Sequence, residues 1–294
     1  QHDDPVLYFS NLAKEENQAI KAERHTTVKI DFNTKLSIGD NQVFNVGYCV
    51  LKLLYKELEL DKFWELKTRN KKIKYDMELI FRLLVLSRVL YPGSKKDAFD
   101  NKDKYFERIS GFTLDDVYHA LDLIDEYQLE MQKWIYNRSN SIVKRDLSVS
   151  YFDCTNYYFD IGRSDLDVLD EKGNPVDKTG SPAEIKYRKR GPEKNHRPDP
   201  IVQMGLLTDR NGIPLAYDLF PGNESEKLHL RPIIDRVKNE FSDTRTIIVA
   251  DRGLNTSDNI YYLNGSNKSD DNPRDGYVYG QSIRGASKEF KQWV

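Results

Sequence analysis

Cysteine is scarce in this chain: Cys49 and Cys154 are the only two in 294 residues. Their spacing fits neither a zinc site nor a disulfide framework, and such sparing use suits a reducing, cytoplasmic setting. Long apolar runs are also missing. None approaches the length of a membrane span, and the N-terminus has no signal-peptide pattern. Net charge is almost absent, with 45 Lys and Arg against 47 Asp and Glu, giving −2. Affinity for a polyanion would therefore have to come from a local basic patch. No internal repeat is visible. What remains is 38% hydrophobic and 31% charged residues, the composition of a soluble globular protein whose length suits about two domains.

The chain changes character near residue 145. Residues 1–145 read as a mostly helical domain, with a short strand expected at "TTVKIDF". From Val46 to Leu60, apolar residues recur at helical spacing. A second helix covers "YDMELIFRLLVLSRVL" and is closed by Pro92-Gly93. A third starts at "TLDDVYHALDLIDEYQLEMQKWIY", where Thr113 and Asp116 have the spacing of an N-terminal capping box. Such a domain either only packs, or binds DNA ends or dimerises.

Residues 146–294 read as mixed α/β. "LSVSYFD" alternates, placing Leu147, Val149, Tyr151 and Asp153 on one face of a strand. A polar stretch from Gly162 to Pro200 reads as a long loop. "IVQMGLLTDRNGIPLAYDLF" is a hairpin turning at Asn211-Gly212. "ESEKLHLRPIIDRVKNEF" is a helix that must begin close before Pro232. "TIIVAD" is an uninterrupted apolar run, expected to be a strand covered on both faces. A short helix near Asp258–Leu263 and a strand near "GYVYGQSI" complete the chain. This order is that of an RNase H-like fold.

A carboxylate inside the first strand needs an explanation, since an unpaired charge is costly to bury. Either the strand ends at Phe152 and Asp153 is a turn residue, or Asp153 has a charged partner such as a metal ion. Sites in open sheets gather at the carboxyl ends of parallel strands. If the first strand and "TIIVAD" are neighbours, Asp153 and Asp251 come together, and carboxylate pairs of this kind suit magnesium.

The stretches "YFDCTNYYFD", "RKRGPEKNHRPDPIVQMGLLTDRNGIPLAYDLFPGNESE" and "IIVADRGL" together resemble bacterial insertion-sequence transposases of the DDE type, in the branch with a β-rich insertion in the catalytic domain. The likeness runs from about Leu147 onward, and more weakly through "RVLYPGSKKDAF". It implies an RNase H-like catalytic core, dependence on Mg²⁺ or Mn²⁺, and cutting and joining of transposon ends. The expected partners are double-stranded DNA, as terminal repeats and target, and a second copy of the chain in a synaptic homodimer. Asp153 and Asp251 map to the first and second catalytic, metal-binding aspartates. No third carboxylate maps: in the family the catalytic glutamate lies on a helix after the insertion, whereas this chain stops at Val294. A form shortened before that glutamate is therefore expected, and it would bind DNA ends but cut them poorly.

Glu289 is either a third metal ligand or a solvated charge, and Glu224 and Glu226 are either helix-start residues or metal or water contacts. The basic run with Lys186, Arg188, Lys189, Arg190 and Lys194, joined soon after by Arg197, is either a solvated face or a set of DNA phosphate contacts. Tyr157, Tyr158 and Tyr187 could stack on bases, with core packing as the alternative for the first two. His196 and His229 lack partner spacing for zinc. The competing functions are a non-catalytic DNA-binding remnant and an RNase H-like nuclease unrelated to transposition.

Overall fold

The computed structural model describes residues 44–105, 109–177, 179–183, 186–191, 199–241, 245–264 and 275–293, together with residues 8, 10, 11 and 13–15. The expected strand at "TTVKIDF" and the residues Lys194, His196 and Arg197 lie outside these. The chain divides into two compact units, Gln1–Arg138 and Ser139–Val294. No described helix is long and apolar enough to cross a membrane.

The first unit is helical: α1 Gly47–Glu57, α2 Leu60–Thr68, α3 Met77–Leu90, α4 Lys95–Asp100, α5 Leu114–Glu126 and most of α6 Gln128–Ile142. The apolar periodicity from Val46 to Leu60 is split between α1 and α2. The break is Glu59, which sits in the left-handed region at φ 51°. A non-glycine residue there is strained, and its surroundings hold it. Trp134 Nε1 donates to the preceding Leu58 carbonyl at 3.0 Å, and the Glu59 carboxylate pairs with Lys62 and Arg138. The capping box at the start of α5 is present: Thr113 Oγ1 accepts from Asp116 N, and Asp116 Oδ2 accepts from Thr113 N at 2.7 Å. The periodic stretch after it is two helices rather than one, parted at Tyr127. The core is aromatic. Phe63, Trp64, Phe81, Tyr127 and Trp134 meet largely edge to face, the geometry the ring quadrupole favours.

The second unit is built on a five-stranded mixed sheet. Its strands are β1 Val149–Tyr158, β4 Ile201–Thr208, β5 Pro214–Pro221, β6 Ile247–Ala250 and β7 Gly276–Tyr279, in the order β5-β4-β1-β6-β7. β4 is antiparallel to β1 and β5, while β1, β6 and β7 run parallel. Three antiparallel leading strands followed by two parallel ones is the RNase H-like arrangement, so the fold class expected from the sequence is the one observed.

The β4–β5 hairpin turns where Asn211-Gly212 predicts. Gly212 takes φ +77°, and the Asp209 carboxylate accepts from the N–H groups of Asn211 and Ile213. Helix α7, Leu230–Glu240, carries Pro232 in its first turn and buries Leu230, Ile233, Ile234 and Val237 on the sheet. Helices α8 Ser257–Asn264 and α9 Lys288–Trp293 complete the unit.

Two expectations are corrected. The stretch from Gly162 to Pro200 is not only loop: β2 Val168–Leu169 and β3 Pro175–Val176 form a small antiparallel ladder within it. Among the described residues, strand β6 is covered on one face only. Ile248 is fully buried, whereas Ile247 is exposed. An apolar run shows that a strand can be buried twice, but not that a second layer is present.

Candidate functional site

Strand β1 alternates strictly at its centre. Ser150, Phe152 and Cys154 are buried, and Tyr151, Asp153 and Thr155 are exposed. The buried set faces α7: a Cβ added at Gly205, the partner of Cys154 on β4, would fall 2.9 Å from the Phe152 ring and 3.1 Å from Ile233. The opposite face carries Asp153, and around it Tyr151, Tyr157, Leu219, Ile247 and Val278 are all exposed. The strand does not end at Phe152 but runs on to Tyr158. The desolvation problem that Asp153 posed in the sequence therefore does not arise. Its side chain is exposed together with its neighbours on that face among the described residues.

Asp251 stands at the carboxyl end of β6. The last paired position between the two parallel strands is Phe152 with Ala250. Asp153 and Asp251 are each the next residue along. The backbone of Asp251 remains extended, at φ −67° and ψ 161°, so the strand geometry reaches it. Paired positions on adjacent strands have backbones roughly 5 Å apart and side chains on the same face, and these two residues continue directly from such a pair. Each carboxylate has one oxygen engaged locally: Asp153 Oδ1 accepts from Cys154 N at 2.9 Å, and Asp251 Oδ1 from Arg252 N at 2.6 Å. Neither is in an ion pair among the described residues.

The turn after Asp251 is firmly held. Leu254, at its end, is buried, and the Leu254 carbonyl accepts from Asn259 Nδ2 at 3.0 Å. Asn259 is itself fully buried and also reaches the Lys227 carbonyl at 3.3 Å. Asn255 Nδ2 donates to Gln281 Oε1 at 2.7 Å, tying the turn to the end of β7.

The other acidic candidates stay apart. Among the described residues no three of His, Cys, Asp and Glu gather as a metal-binding group. Glu224 instead lies 2.9 Å from His229, whose ring stacks on Phe220 at 3.6 Å. Burial pushes the His229 imidazole below its ordinary value, against the opposing pull of Glu224. Glu226 opens a short turn, and Glu289 is exposed on α9.

The basic run is largely occupied by its own chain. Arg188 holds Asp165 with two side-chain bonds, at 3.1 and 2.6 Å. Lys189 reaches Asp167 at 2.6 Å and the Asp165 carbonyl at 2.8 Å. Hydrogen bonds from these cations hold both carboxyls below the usual carboxylate range. Lys186 Nζ donates to the Leu166 carbonyl, and Arg190 Nη2 to the Gly162 carbonyl. Sequence reading missed Asp165 and Asp167. The signal was an alternating acidic pair facing a basic pair across one excursion.

Tyr157, Tyr158 and Tyr187 are all exposed.

No protein-family model matches this sequence, and no curated protein matches it. Similar solved structures include a Mos1 transposase paired-end complex with the left transposon end, at 13% identity and TM-score 0.23, covering 77% of this chain and 68% of that one. The Mos1 strand transfer complex, at 14% identity and TM-score 0.24, covers 82% and 68%. A Mos1 mariner paired-end complex with Mn gives 14% identity and TM-score 0.22 over 77% and 68%. Superposition at this level fixes neither fold nor function. The informative features are the strand order and the two aspartates.

Proposed function

We propose that the second unit is the catalytic core of a DDE-type DNA transposase of the bacterial insertion-sequence kind, with Asp153 and Asp251 as its first two catalytic carboxylates. The observation that supports this reading is that each directly follows the Phe152–Ala250 pair of the sheet and is exposed. The donor set fits a divalent cation. Mg²⁺ is commonly held by one or two carboxylates, with waters and substrate phosphates completing the shell, and these two carboxylates have no competing cation among the described residues. Asp153 and Asp251 would hold it, and Mg²⁺ or Mn²⁺ bound there supplies an activated water and charge stabilisation of the leaving oxygen.

The chain's own contribution is positional. Pairing with Leu206 fixes the Asp153 backbone, the hydrogen-bonded turn that follows β6 holds that of Asp251, and the local N–H contacts orient one oxygen of each carboxylate while leaving the other available. The open face gives a DNA strand access without any rearrangement of the sheet. The substrate is double-stranded DNA at transposon ends, in a synaptic homodimer, in the cytoplasm. The first unit takes the role of binding DNA ends or dimerising.

One observation favours a second reading, that the chain binds DNA ends but does not cut them. No further carboxylate joins the pair among the described residues, and in-line attack depends on tight positioning of the reacting groups. A strand-cleavage assay in Mg²⁺ or Mn²⁺ on terminal-repeat DNA, with Asp153→Ala and Asp251→Ala alongside, separates the two. Cleavage that both substitutions abolish supports the transposase core. Metal-independent binding without cleavage supports the second reading. Cleavage that survives both substitutions refutes the site.

A further inference from the structure

The aspartate pair leaves an electrostatic question. Two carboxylates on one sheet edge repel the phosphates of an approaching strand, and the cations that the sequence suggested would offset them are largely engaged elsewhere, Arg188 by Asp165 and Lys189 by Asp167. One guanidinium at this edge is not engaged. Arg252 comes directly after Asp251, is exposed, and makes no side-chain hydrogen bond or ion pair among the described residues. Its backbone is nevertheless fixed. Arg252 N–H is held by the Asp251 carboxylate at 2.6 Å, and Leu254 N–H by the Asp251 carbonyl at 3.0 Å. Asn255 and Asn259 anchor the end of the turn. On its other side lies Gly280, where an added Cβ would come 3.4 Å from the Arg252 Cβ.

We propose that Arg252 is a substrate-contact residue whose guanidinium binds a backbone phosphate of the DNA strand lying across Asp153 and Asp251. The inference rests on the proposed catalytic role of that aspartate pair. A rigid base with a long free cation suits this role. The guanidinium offers donors in a planar fork that matches two phosphate oxygens, and it stays charged at any working pH. Carried by the residue that follows Asp251, it can make this end of the sheet attractive to a phosphate, without displacing either aspartate from a cation.

The test is the salt dependence of binding to a labelled DNA duplex, monitored by fluorescence anisotropy in Ca²⁺, for the wild type, Arg252→Ala, Arg252→Gln and Arg252→Lys. Loss of one phosphate contact should lower the slope of log affinity against log salt by about 0.9 in the Ala and Gln variants, and Lys should restore it. Mn²⁺ affinity should be unchanged in all four proteins. A wild-type slope in Arg252→Gln overturns the inference, and the Gln and Lys pair decides it even if the Ala variant does not fold. Loss of Mn²⁺ binding in Arg252→Gln also overturns it, because the residue would then act through Asp251. Failure of the wild type to bind duplex DNA at all overturns the proposed role of the aspartate pair, and the inference with it.

Discussion

The buried pair of Arg145 and Asp209 makes a sharp test of how the second unit is assembled. Both side chains are completely shielded from solvent, and Arg145 Nε lies 2.5 Å from Asp209 Oδ2. The rest of the guanidinium reaches Ser139 Oγ at 2.7 Å and the Ile213 and Pro214 carbonyls at 2.9 Å. One side chain thus ties the approach to β1, the strand of Asp153, to the far end of the β4–β5 hairpin. Arg145→Ala leaves a buried carboxylate without its cation, a defect that costs about 3–5 kcal/mol. For a unit of this size each kcal/mol lowers the melting temperature by about 2–4 °C, so a drop of about 6–20 °C is expected. Calorimetry should show it, with amide exchange in β1 and β4 assigning the transition to the second unit. The double variant Arg145→Met with Asp209→Asn removes both charges while keeping the oxygen that accepts from Asn211 and Ile213, and should recover part of the loss. A drop below about 2 °C for Arg145→Ala, or strict additivity in the double variant, would refute the account.

Three further outcomes are expected. Asp153→Asn and Asp251→Asn should each shift stability by no more than about 0.5 kcal/mol, because both side chains are exposed, while abolishing Mn²⁺ binding in a calorimetric titration; unfolding of either variant would assign the aspartates a structural role. His229 is held below its ordinary value by burial, so the unfolded chain takes up the proton first. Its stabilising contribution is complete above an unfolded value of about 6.5 and is lost as pH falls from there through the folded value. His229→Phe should flatten that part of the melting temperature against pH curve, and an unaltered curve would contradict the assignment. Arg188→Ala with Lys189→Ala should raise amide exchange in β2 and β3 while changing the DNA salt slope by less than about one contact; protected amides with a slope reduced by about two would instead make these residues the phosphate contacts.

Much of this architecture is legible in the residues. The capping box at Thr113 and Asp116, the turn at Asn211-Gly212 and the stripe from Leu230 to Val237 are local signals, and each lies where its chemistry predicts. Strand order can be read from their succession. What was not legible depends on partners distant in the chain. The left-handed break at Glu59 is stabilised by Trp134 and Arg138 from another helix, and nothing near residue 59 announces it. Asp209 reads as a turn residue until Arg145 is brought against it. The exposure of Asp153 depends on whether its sheet face has a covering layer, which the alternation of one strand cannot report.

Strands β1 and β4 are antiparallel neighbours, which a two-residue turn could join. Residues 159–200 stand between them instead, and the base of that excursion is sealed. Phe159 N–H donates to the Pro200 carbonyl at 3.1 Å, Lys189 and Ile201 exchange both backbone bonds, and Gly222 N–H reaches the Tyr187 carbonyl. Gly222 has no room for a side chain there, since a Cβ would fall 2.3 Å from the Ile201 carbonyl oxygen. With the neck closed in this way, length beyond it is thermodynamically cheap, each doubling of a loop costing only about 0.6 kcal/mol. The tip at Asp170–Asn174 is therefore a natural grafting port. A reporter or an affinity module spliced there would be insulated from the sheet, and the arm could be lengthened or shortened without disturbing the spacing of the two aspartates.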